Sequence, residues 1–290
     1  MENKQILLLG SSGFVGKNLY EYLKNRDYSI DSPSHCDLDV LFETDALKYL
    51  KKKRYDVVIN ALDRNGKENN YFENRLRMFQ NLAIHSDLYG KMIYFGSGAE
   101  YGRELPVCSI EENKINRVIP SDTYGFCLQQ MNDYARKSEN IYNFRLFGIF
   151  GKYELWNQRF ISNAICKAIS GYPITIRQDR YMDYLYIDDL CKIVEWAINN
   201  TPKFHDYNAV SGRKYSLYDL AETVRKVMHT DVPIYIAKDG YFNEYTASNK
   251  RLLSEMGDFE IENIELSIKK LSEWYIENKS MIIKEKLLYQ

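Results

Sequence analysis

The segment Gly10-Ser-Ser-Gly13-Phe-Val-Gly16 has the residue types and the spacing that bind a phosphate group. It directly follows the apolar run Ile6–Leu9 and precedes a helical pattern that continues to about Lys24. Glycine permits a tight turn and lets backbone N–H groups approach a pyrophosphate. The helix N-terminus then adds unpaired donors and a favourable dipole. The segment predicts a dinucleotide site, to which Ser12, Phe14 and Val15 also contribute, with an ordinary glycine-rich turn as the alternative.

The residues after the second predicted strand bear on the choice between NAD and NADP. Asp31 lies about 20 residues beyond Gly10, where a carboxylate commonly binds the ribose of NAD. The stretch 32–35 (Ser-Pro-Ser-His) could instead hold the 2′-phosphate of NADP, with His35 as a contact. Asp31 could also be a solvated turn residue. We favour NADP and keep NAD as the alternative.

Short apolar runs alternate with helical patterns over the first two-thirds of the chain. Four runs predict buried strands: Ile6–Leu9, Val57–Asn60, Lys91–Phe95 and Asn143–Leu146. Strands that alternate with helices imply right-handed crossovers and a parallel sheet. We therefore predict an α/β protein whose doubly wound, parallel-sheet Rossmann domain occupies residues 1–150.

After Gly151 the pattern favours helices. One is marked by apolar residues from Phe160 to Ile169, one begins at a cap on Ser216 and ends near Met228, and a last one spans about Glu265–Asn278. We predict that residues 151–290 form a smaller substrate-binding lobe, interleaved with the Rossmann domain at about 182–200. A cleft between the two parts is where a substrate is expected to bind.

Composition argues against several partners. The net charge of −1 offers no cationic field for nucleic acid or an anionic membrane. Five cysteines and four histidines are scattered without ligand spacing, so we expect no metal site and reduced thiols in a cytoplasmic protein. The N-terminus carries too few apolar residues for a signal peptide or a membrane span.

Further motifs stand in order along nearly the whole chain: Asp37-Leu-Asp39, Asn60-Ala61, Gly96-Ser97-Gly-Ala-Glu-Tyr101-Gly102, Tyr124-Gly, Arg145-Leu-Phe-Gly-Ile-Phe-Gly151 and Asp183-Tyr-Leu-Tyr-Ile-Asp188-Asp189-Leu. Together with Gly10–Gly16 they resemble the extended short-chain dehydrogenase/reductase family. Within that family the resemblance is to nucleotide-sugar epimerases, dehydratases and 4-keto-sugar reductases. It implies an NAD(P) cofactor, a nucleotide-diphosphate sugar as substrate and a homodimer.

The resemblance also implies roles for individual residues. Tyr124 matches the catalytic tyrosine and Ser97 the catalytic serine or threonine, although either could be structural. Further cofactor contacts are implied at Asp37, Leu38, Asn60, Ala61 and Leu62. Substrate contacts are expected at Ala99 and Glu100 after Ser97, and at Arg177 and Arg180, which could replace an arginine found in relatives where this chain has Met182.

One departure affects the chemistry. The family uses Tyr-x-x-x-Lys, and Leu128 stands at the lysine position. Residues i and i+4 share a helix face, so the family's lysine binds the nicotinamide ribose and lowers the pKa of the tyrosine, whose ordinary value is about 10. Leucine does neither. A neutral phenol is a poor base but an adequate acid, which favours reduction of a carbonyl over oxidation of an alcohol.

Three functions follow from these observations. We favour an NAD(P)-dependent oxidoreductase or epimerase acting on a nucleotide-diphosphate sugar, most plausibly reducing a 4-keto sugar in cell-surface polysaccharide or glycoside synthesis. A catalytically weakened dinucleotide-binding protein, acting as a redox sensor or complex subunit, is the second. A degenerate subunit that pairs with an active partner is the third. Retention of both Ser97 and Tyr124 favours the enzyme, because a sensor has no need of that pair.

Overall fold

The computed structural model describes residues 3–63 and 70–287, and these contain fourteen strands and nine α-helices. The strands, in chain order, are β1 Lys4–Leu9, β2 Tyr28–Asp31, β3 Tyr55–Asn60, β4 Tyr89–Ser97, β5 Val107–Ile110, β6 Ile141–Leu146, β7 Gly148–Phe150, β8 Ile174–Asp179, β9 Tyr181–Met182, β10 Tyr184–Tyr186, β11 Asp206–Asn208, β12 Tyr215–Ser216, β13 Ile234–Tyr241 and β14 Tyr245–Ala247. The helices are α1 Phe14–Leu23, α2 Glu43–Leu50, α3 Tyr71–Ala83, α4 Thr123–Ala135, α5 Phe160–Ser170, α6 Ile187–Asn199, α7 Leu217–Met228, α8 Lys250–Met256 and α9 Ile264–Glu277.

A six-stranded sheet of order β11-β6-β4-β3-β1-β2 forms the centre of the fold, and every strand pair in it is parallel. Its central strands are apolar on both faces, and Ile6, Leu7, Val57 and Val58 are all fully buried. One face packs against a cluster that contains Leu19 and the other against a cluster that contains Leu128. The doubly wound α/β prediction is thereby confirmed, because helices cover both sides of a parallel sheet.

The four predicted buried runs correspond to β1, β3, β4 and β6, each of which begins two residues before the apolar run, and β4 also ends two residues after it. The helix predicted after Ser216 is α7, and the Ser216 hydroxyl accepts a hydrogen bond from the Asp219 backbone N–H at 2.9 Å. This is the capping geometry that the sequence indicated.

The two parts of the chain exchange strands. β11, at residues 206–208, completes the edge of the large sheet, and α6 packs against α1. In the other direction, β5 leaves the first part and pairs with β14 in a four-stranded sheet of order β12-β9-β14-β5. These exchanges lie at residues 206–208 and 107–110, and the interleaving at about 182–200 stays a prediction. The division at residue 150 stays a prediction.

Candidate active site

The phosphate turn (Gly10–Gly16) joins β1 to α1, and its three glycines have different surroundings. Gly10 has a φ of +83°, and a Cβ on it would lie 2.5 Å from the Ala61 carbonyl oxygen. A Cβ on Gly16 would lie 2.1 Å from the Gly10 carbonyl oxygen. A Cβ on Gly13 would meet only that same oxygen, at 3.4 Å. Gly10 and Gly16 are therefore required by the protein's own packing, whereas Gly13 leaves open space in front of the turn.

The start of α1 has the features of an anion site. Gly13 is its N-cap residue, so no side chain caps the first helical N–H groups, and Ser12 beside it is exposed. Phe14 and Val15, the first two helical residues, pack partly on the core. Open space before Gly13 together with uncapped donors fits the pyrophosphate of a dinucleotide.

Asp31 is engaged with the protein itself. Its carboxylate accepts hydrogen bonds from the hydroxyls of Tyr49 at 3.0 Å and Tyr55 at 2.5 Å. The next residue, Ser32, donates from its hydroxyl to the Ser11 hydroxyl in the phosphate turn at 2.5 Å. Two hydroxyl groups thus lie together at the turn, while the nearest carboxylate in sequence is bound to tyrosines.

The remaining predicted cofactor residues fall into two groups. At the end of β3, the Ala61 N–H donates to the Leu9 carbonyl at 3.0 Å and the Asn60 side chain accepts from the Leu62 N–H at 3.2 Å. This group lies directly against Gly10. The second group follows β2. Asp37 is exposed and accepts hydrogen bonds from the backbone and the side chain of Ser34, while Leu38 is buried with 7% of its surface exposed. The His35 Nε2 lies 3.6 Å from the Asp39 carboxylate.

Tyr124 lies at the first turn of α4, beside the end of β4. The neighbouring Gly125 makes this approach possible, since a Cβ there would lie 2.6 Å from the Ala99 carbonyl oxygen. Asp122 caps the helix by accepting from the Gly125 N–H at 2.9 Å. The Tyr124–Gly125 pair therefore places the phenol next to the segment that follows Ser97.

The Ser97 hydroxyl caps a short helix and also lies near a second hydroxyl group. Its hydroxyl accepts from the Ala99 N–H at 3.2 Å and so caps a short 3₁₀ helix over Gly98–Tyr101. The Tyr245 side chain reaches in from β14 of the smaller lobe, and its hydroxyl would lie 2.5 Å from a Cβ on Gly98, the residue after Ser97. Burial raises the pKa of Tyr245, the Ser97 side chain opposes this shift, and nearby Tyr124 reinforces it. Ser97, Tyr124 and Tyr245 therefore form one hydroxyl cluster at the junction of the two lobes.

Leu128 is fully buried in the core one turn beyond Tyr124. Two guanidinium groups instead flank the Tyr124 ring. The Arg75 Cζ lies 5.7 Å and the Arg103 Cζ 5.9 Å from the ring centroid. Phe72 packs against the same ring with the two centroids 5.5 Å apart. Positive charge is thus present at Tyr124, the predicted catalytic tyrosine, although it does not come from α4.

Ala99 and Glu100 do not face a cleft. Both are fully buried, and the Glu100 carboxylate lies 2.5 Å from Nε of the fully buried Arg145. Asn143 donates to both Glu100 oxygens, and the Glu100 carboxylate also accepts from the Ser97 N–H at 3.0 Å. Both residues are buried in this structure, and their contact with substrate stays a prediction. The motif supports the strand end from inside, because a buried carboxylate needs paired partners.

The two predicted substrate arginines differ in environment. Arg177 is exposed on β8. Arg180 is half-buried, with its Cζ 5.1 Å from the Phe242 ring centroid and 5.8 Å from that of Tyr245. Among the residues that the structure describes, its Nε has no hydrogen-bond partner. Burial lowers the pKa of Arg180, and the like charge of Arg103 contributes to that shift. An unpartnered buried donor beside the hydroxyl cluster is suited to an anionic ligand.

Over residues 3–63 and 70–287, no group of three or more His, Cys, Asp or Glu side chains is arranged to hold a metal ion. Within the same ranges, none of the helices has the length and apolar character needed to cross a bilayer.

Sequence reasoning missed three residues of this site, Arg75, Arg103 and Tyr245. Each comes from a different element, α3, the loop before β5, and β14. None stands at a motif position. The one available signal was the number of tyrosines, 25 in the chain, which made it possible that more than one tyrosine lies in the site.

The fold and this arrangement of residues define the class of protein. The chain belongs to the NAD-dependent epimerase/dehydratase family, whose family model matches residues 6–209. It is similar to a GDP-L-colitose synthase of Yersinia pseudotuberculosis, with 21% identity over 305 residues, 95% of this chain and 99% of that protein. A GDP-L-fucose synthase of Dictyostelium discoideum is 23% identical over 316 residues, 95% of this chain and 96% of that protein.

Solved structures share the fold. A GDP-L-fucose synthetase of Naegleria fowleri superposes with a TM-score of 0.85 at 17% identity, covering 97% of this chain and 96% of that one. The same enzyme bound to NADP gives 0.82 at the same identity and coverage. A dTDP-glucose 4,6-dehydratase of Bacillus anthracis in complex with NAD gives 0.80 at 14% identity, covering 96% and 98%. The fold therefore accommodates either dinucleotide in these neighbours.

Proposed function

We propose that this protein is an NADP(H)-dependent reductase of a nucleotide-diphosphate 4-keto sugar. The hydroxyl cluster of Ser97, Tyr124 and Tyr245, at the junction of a dinucleotide fold and a smaller lobe, carries this proposal. The relatives named as GDP-sugar synthases support a nucleotide sugar as the substrate class. The homodimer and the cytoplasmic location stay predictions.

The residues have separable tasks in this reaction. The turn at Gly10–Gly16 holds the pyrophosphate, with Asn60 and Ala61 beside it. When bound, the reduced nicotinamide supplies the hydride that the carbonyl carbon accepts. Ser97 orients the carbonyl oxygen, and Tyr124 donates its phenolic proton to that oxygen. The negative charge left on Tyr124 is the charge that the active site has to stabilise.

Reduction fits this site better than oxidation. In reduction, the tyrosine acts as a proton donor, which is the role available to a neutral phenol. Oxidation of a sugar alcohol requires a phenolate base before any substrate charge develops, and the lysine that the family uses for this purpose is absent at position 128.

The proposal is tested by turnover of 4-keto sugars linked to GDP, UDP, CDP or dTDP, followed through NADPH consumption and product mass. We expect one nucleotide series to be reduced and the corresponding alcohols to be oxidised far more slowly at neutral pH. Dinucleotide binding without turnover of any of these sugars would instead support the sensor or complex-subunit alternative.

We expect NADPH to bind more tightly than NADH. The Ser11–Ser32 hydroxyl pair offers donors to a 2′-phosphate, whereas Asp31 is held by Tyr49 and Tyr55. Ser32→Asp places a like charge at the phosphate and should weaken NADPH by about tenfold or more while changing NADH little. Asp31→Asn is the control. For Asp31→Asn, calorimetry should show a less stable protein whose ratio of NADPH affinity to NADH affinity is unchanged. A changed ratio would instead indicate that Asp31 binds the ribose.

Arg180 is proposed to bind the substrate diphosphate, with Arg103 nearby. Arg180→Met should raise the KM of the nucleotide sugar roughly 10- to 100-fold, because a hydrogen bond to a charged group contributes about 1.5–3 kcal/mol. Arg177→Met is the matched control, since Arg177 is exposed on β8. Steady-state kinetics with both variants should show an effect of Arg180 alone. Equal effects would assign diphosphate binding to both arginines, and no effect of either would remove them from the substrate site.

A further inference from the structure

Arg75 occupies a position that motif analysis does not identify. It projects from the second turn of α3 and is 12% exposed. One guanidinium nitrogen donates to the Asp63 carboxylate and another to the Phe95 carbonyl of β4, both at 2.9 Å. Because two hydrogen bonds from different elements hold the group, its charge is fixed in place beside Tyr124 rather than carried on a mobile side chain.

A second observation connects this charge with the missing lysine. Arg75 lines a small cavity with Asn60 at the end of β3 and with Met78 and Met131. Met131 lies three residues after Leu128 on α4, and both belong to the same buried cluster. The guanidinium therefore borders the space between α4 and the end of β3.

The electrostatics are consistent with this geometry. Burial alone would lower the pKa of Arg75, but its electrostatic interactions with the ionisable groups of Tyr124, Asp63 and Tyr71 outweigh burial and raise the pKa of Arg75 above the ordinary arginine value. Arg75 is thus positively charged throughout the pH range of an enzyme assay. Tyr124 is among the groups to which this charge is coupled.

The other charged groups around Tyr124 are more exposed to solvent than Arg75 is. Arg103 lies on the other flank, but it is 51% exposed and paired with the capping residue Asp122 at 3.0 Å. Tyr245 and Ser97 carry hydroxyl groups and supply no positive charge. Asp63 offsets part of the Arg75 charge and is itself 66% exposed. Of these groups, Arg75 is the well-buried cation.

We propose that Arg75 is a positioning residue that replaces the family's lysine by stabilising the phenolate of Tyr124 from α3 instead of from α4. This inference rests on the proposed reductase function for its kinetic consequences. In that reaction the O–H bond of Tyr124 breaks as the new O–H bond of the sugar forms, and Arg75 offsets the charge left on Tyr124 until solvent returns a proton.

The direct test does not depend on turnover. In protein labelled with ¹³C at tyrosine Cζ, the Tyr124 resonance is identified by its absence in Tyr124→Phe, and its ionisation is followed by pH titration. Arg75→Met should move the midpoint upward by about one pH unit or more, as expected on removal of an opposite charge at this distance. Arg77→Met, a change of the exposed arginine on the same helix, should leave the midpoint in place.

Two further variants keep the test decisive if Arg75→Met does not fold. Arg75→Lys retains the charge and should keep most of the parent's midpoint. Asp63→Asn removes the acid that offsets Arg75 and should move the midpoint downward. An unchanged midpoint in Arg75→Met, or in Asp63→Asn where Arg75→Met does not fold, overturns the proposal, as does an equal shift in Arg77→Met.

Kinetics give a second readout. Arg75→Met should lower kcat roughly 10-fold or more with little change in the KM of the sugar, and should move the basic limb of the pH–rate profile upward. Leu128→Lys should restore kcat in the Arg75→Met background but not raise it in the parent, where two cations would repel each other. If no sugar is turned over while the titration responds as expected, the reductase function fails and the role of Arg75 stands.

Discussion

Gly13→Val should abolish dinucleotide binding without destabilising the protein. The Cβ of residue 13 would meet only the Gly10 carbonyl oxygen at 3.4 Å, and Gly13 has an extended backbone that any residue can adopt. The added methyl groups must therefore extend away from the protein into the space where the pyrophosphate approaches the start of α1. Backbone donors remain, but a ligand cannot reach them.

The expected effect is large enough for a thermal assay. NADPH at about 100 times its Kd stabilises a protein by about 2.7 kcal/mol, which corresponds to a rise in Tm of roughly 5–10 °C for a chain of this size. The parent should show this rise and Gly13→Val should show none. Gly13→Ala should be intermediate. A Gly13→Val protein that binds NADPH as tightly as the parent would remove this turn from the cofactor site.

Gly10 and Gly16 make the comparison informative. Valine at either position would bring a Cβ within 2.5 Å of a backbone oxygen of the protein itself. Those variants should lose stability with or without cofactor, because the contact is internal and involves backbone that cannot move cheaply. Only at Gly13 does loss of binding separate from loss of folding.

The parts of the fold that sequence predicted are those set by local pattern. β1 and β3 are short apolar runs next to glycine or asparagine, and α7 begins at a serine cap. The phosphate turn is likewise a local motif. In each case the residues that determine the local structure are neighbours in sequence. The pattern can therefore be identified without knowing what packs against it.

The parts that could not be predicted depend on contacts between distant residues. Tyr245 reaches Ser97 only because β14 joins the sheet beside β5, and Arg75 reaches Tyr124 only because α3 packs on α4. The environment of Glu100 could not be predicted for the same reason. Its partner Arg145 is 45 residues away, and nothing local to Glu100 indicates that its carboxylate is buried and paired.

At position 128, the local sequence and the contacts between distant residues lead to different expectations. Sequence alone indicates a weakened catalytic pair, because Leu128 cannot supply charge. The structure shows that Leu128 is fully buried while a guanidinium from another helix lies beside the same phenol. A catalytic function is therefore compatible with the substitution, and the role of Tyr124 becomes the central point to test.

Tyr124→Phe should lower kcat for keto-sugar reduction by roughly 10²- to 10⁴-fold, the range associated with loss of a general acid. The ring and its packing against Phe72 are retained, so the change removes the proton donor and little else. KM for the sugar and Kd for NADPH should change by less than about threefold, because neither the phosphate turn nor Arg180 is altered.

Tyr134→Phe is the matched control on the same helix. Tyr134 is 41% exposed and its hydroxyl donates to the Ala83 carbonyl at 3.3 Å, but it lies about three turns beyond Tyr124. It should keep full activity. Single-turnover measurements with NADPH would show whether the chemical step itself has slowed in Tyr124→Phe. If that step proceeds at the parental rate, Tyr124 is a structural tyrosine, and the proton must come from Tyr245 or Ser97, which Tyr245→Phe and Ser97→Ala would then distinguish.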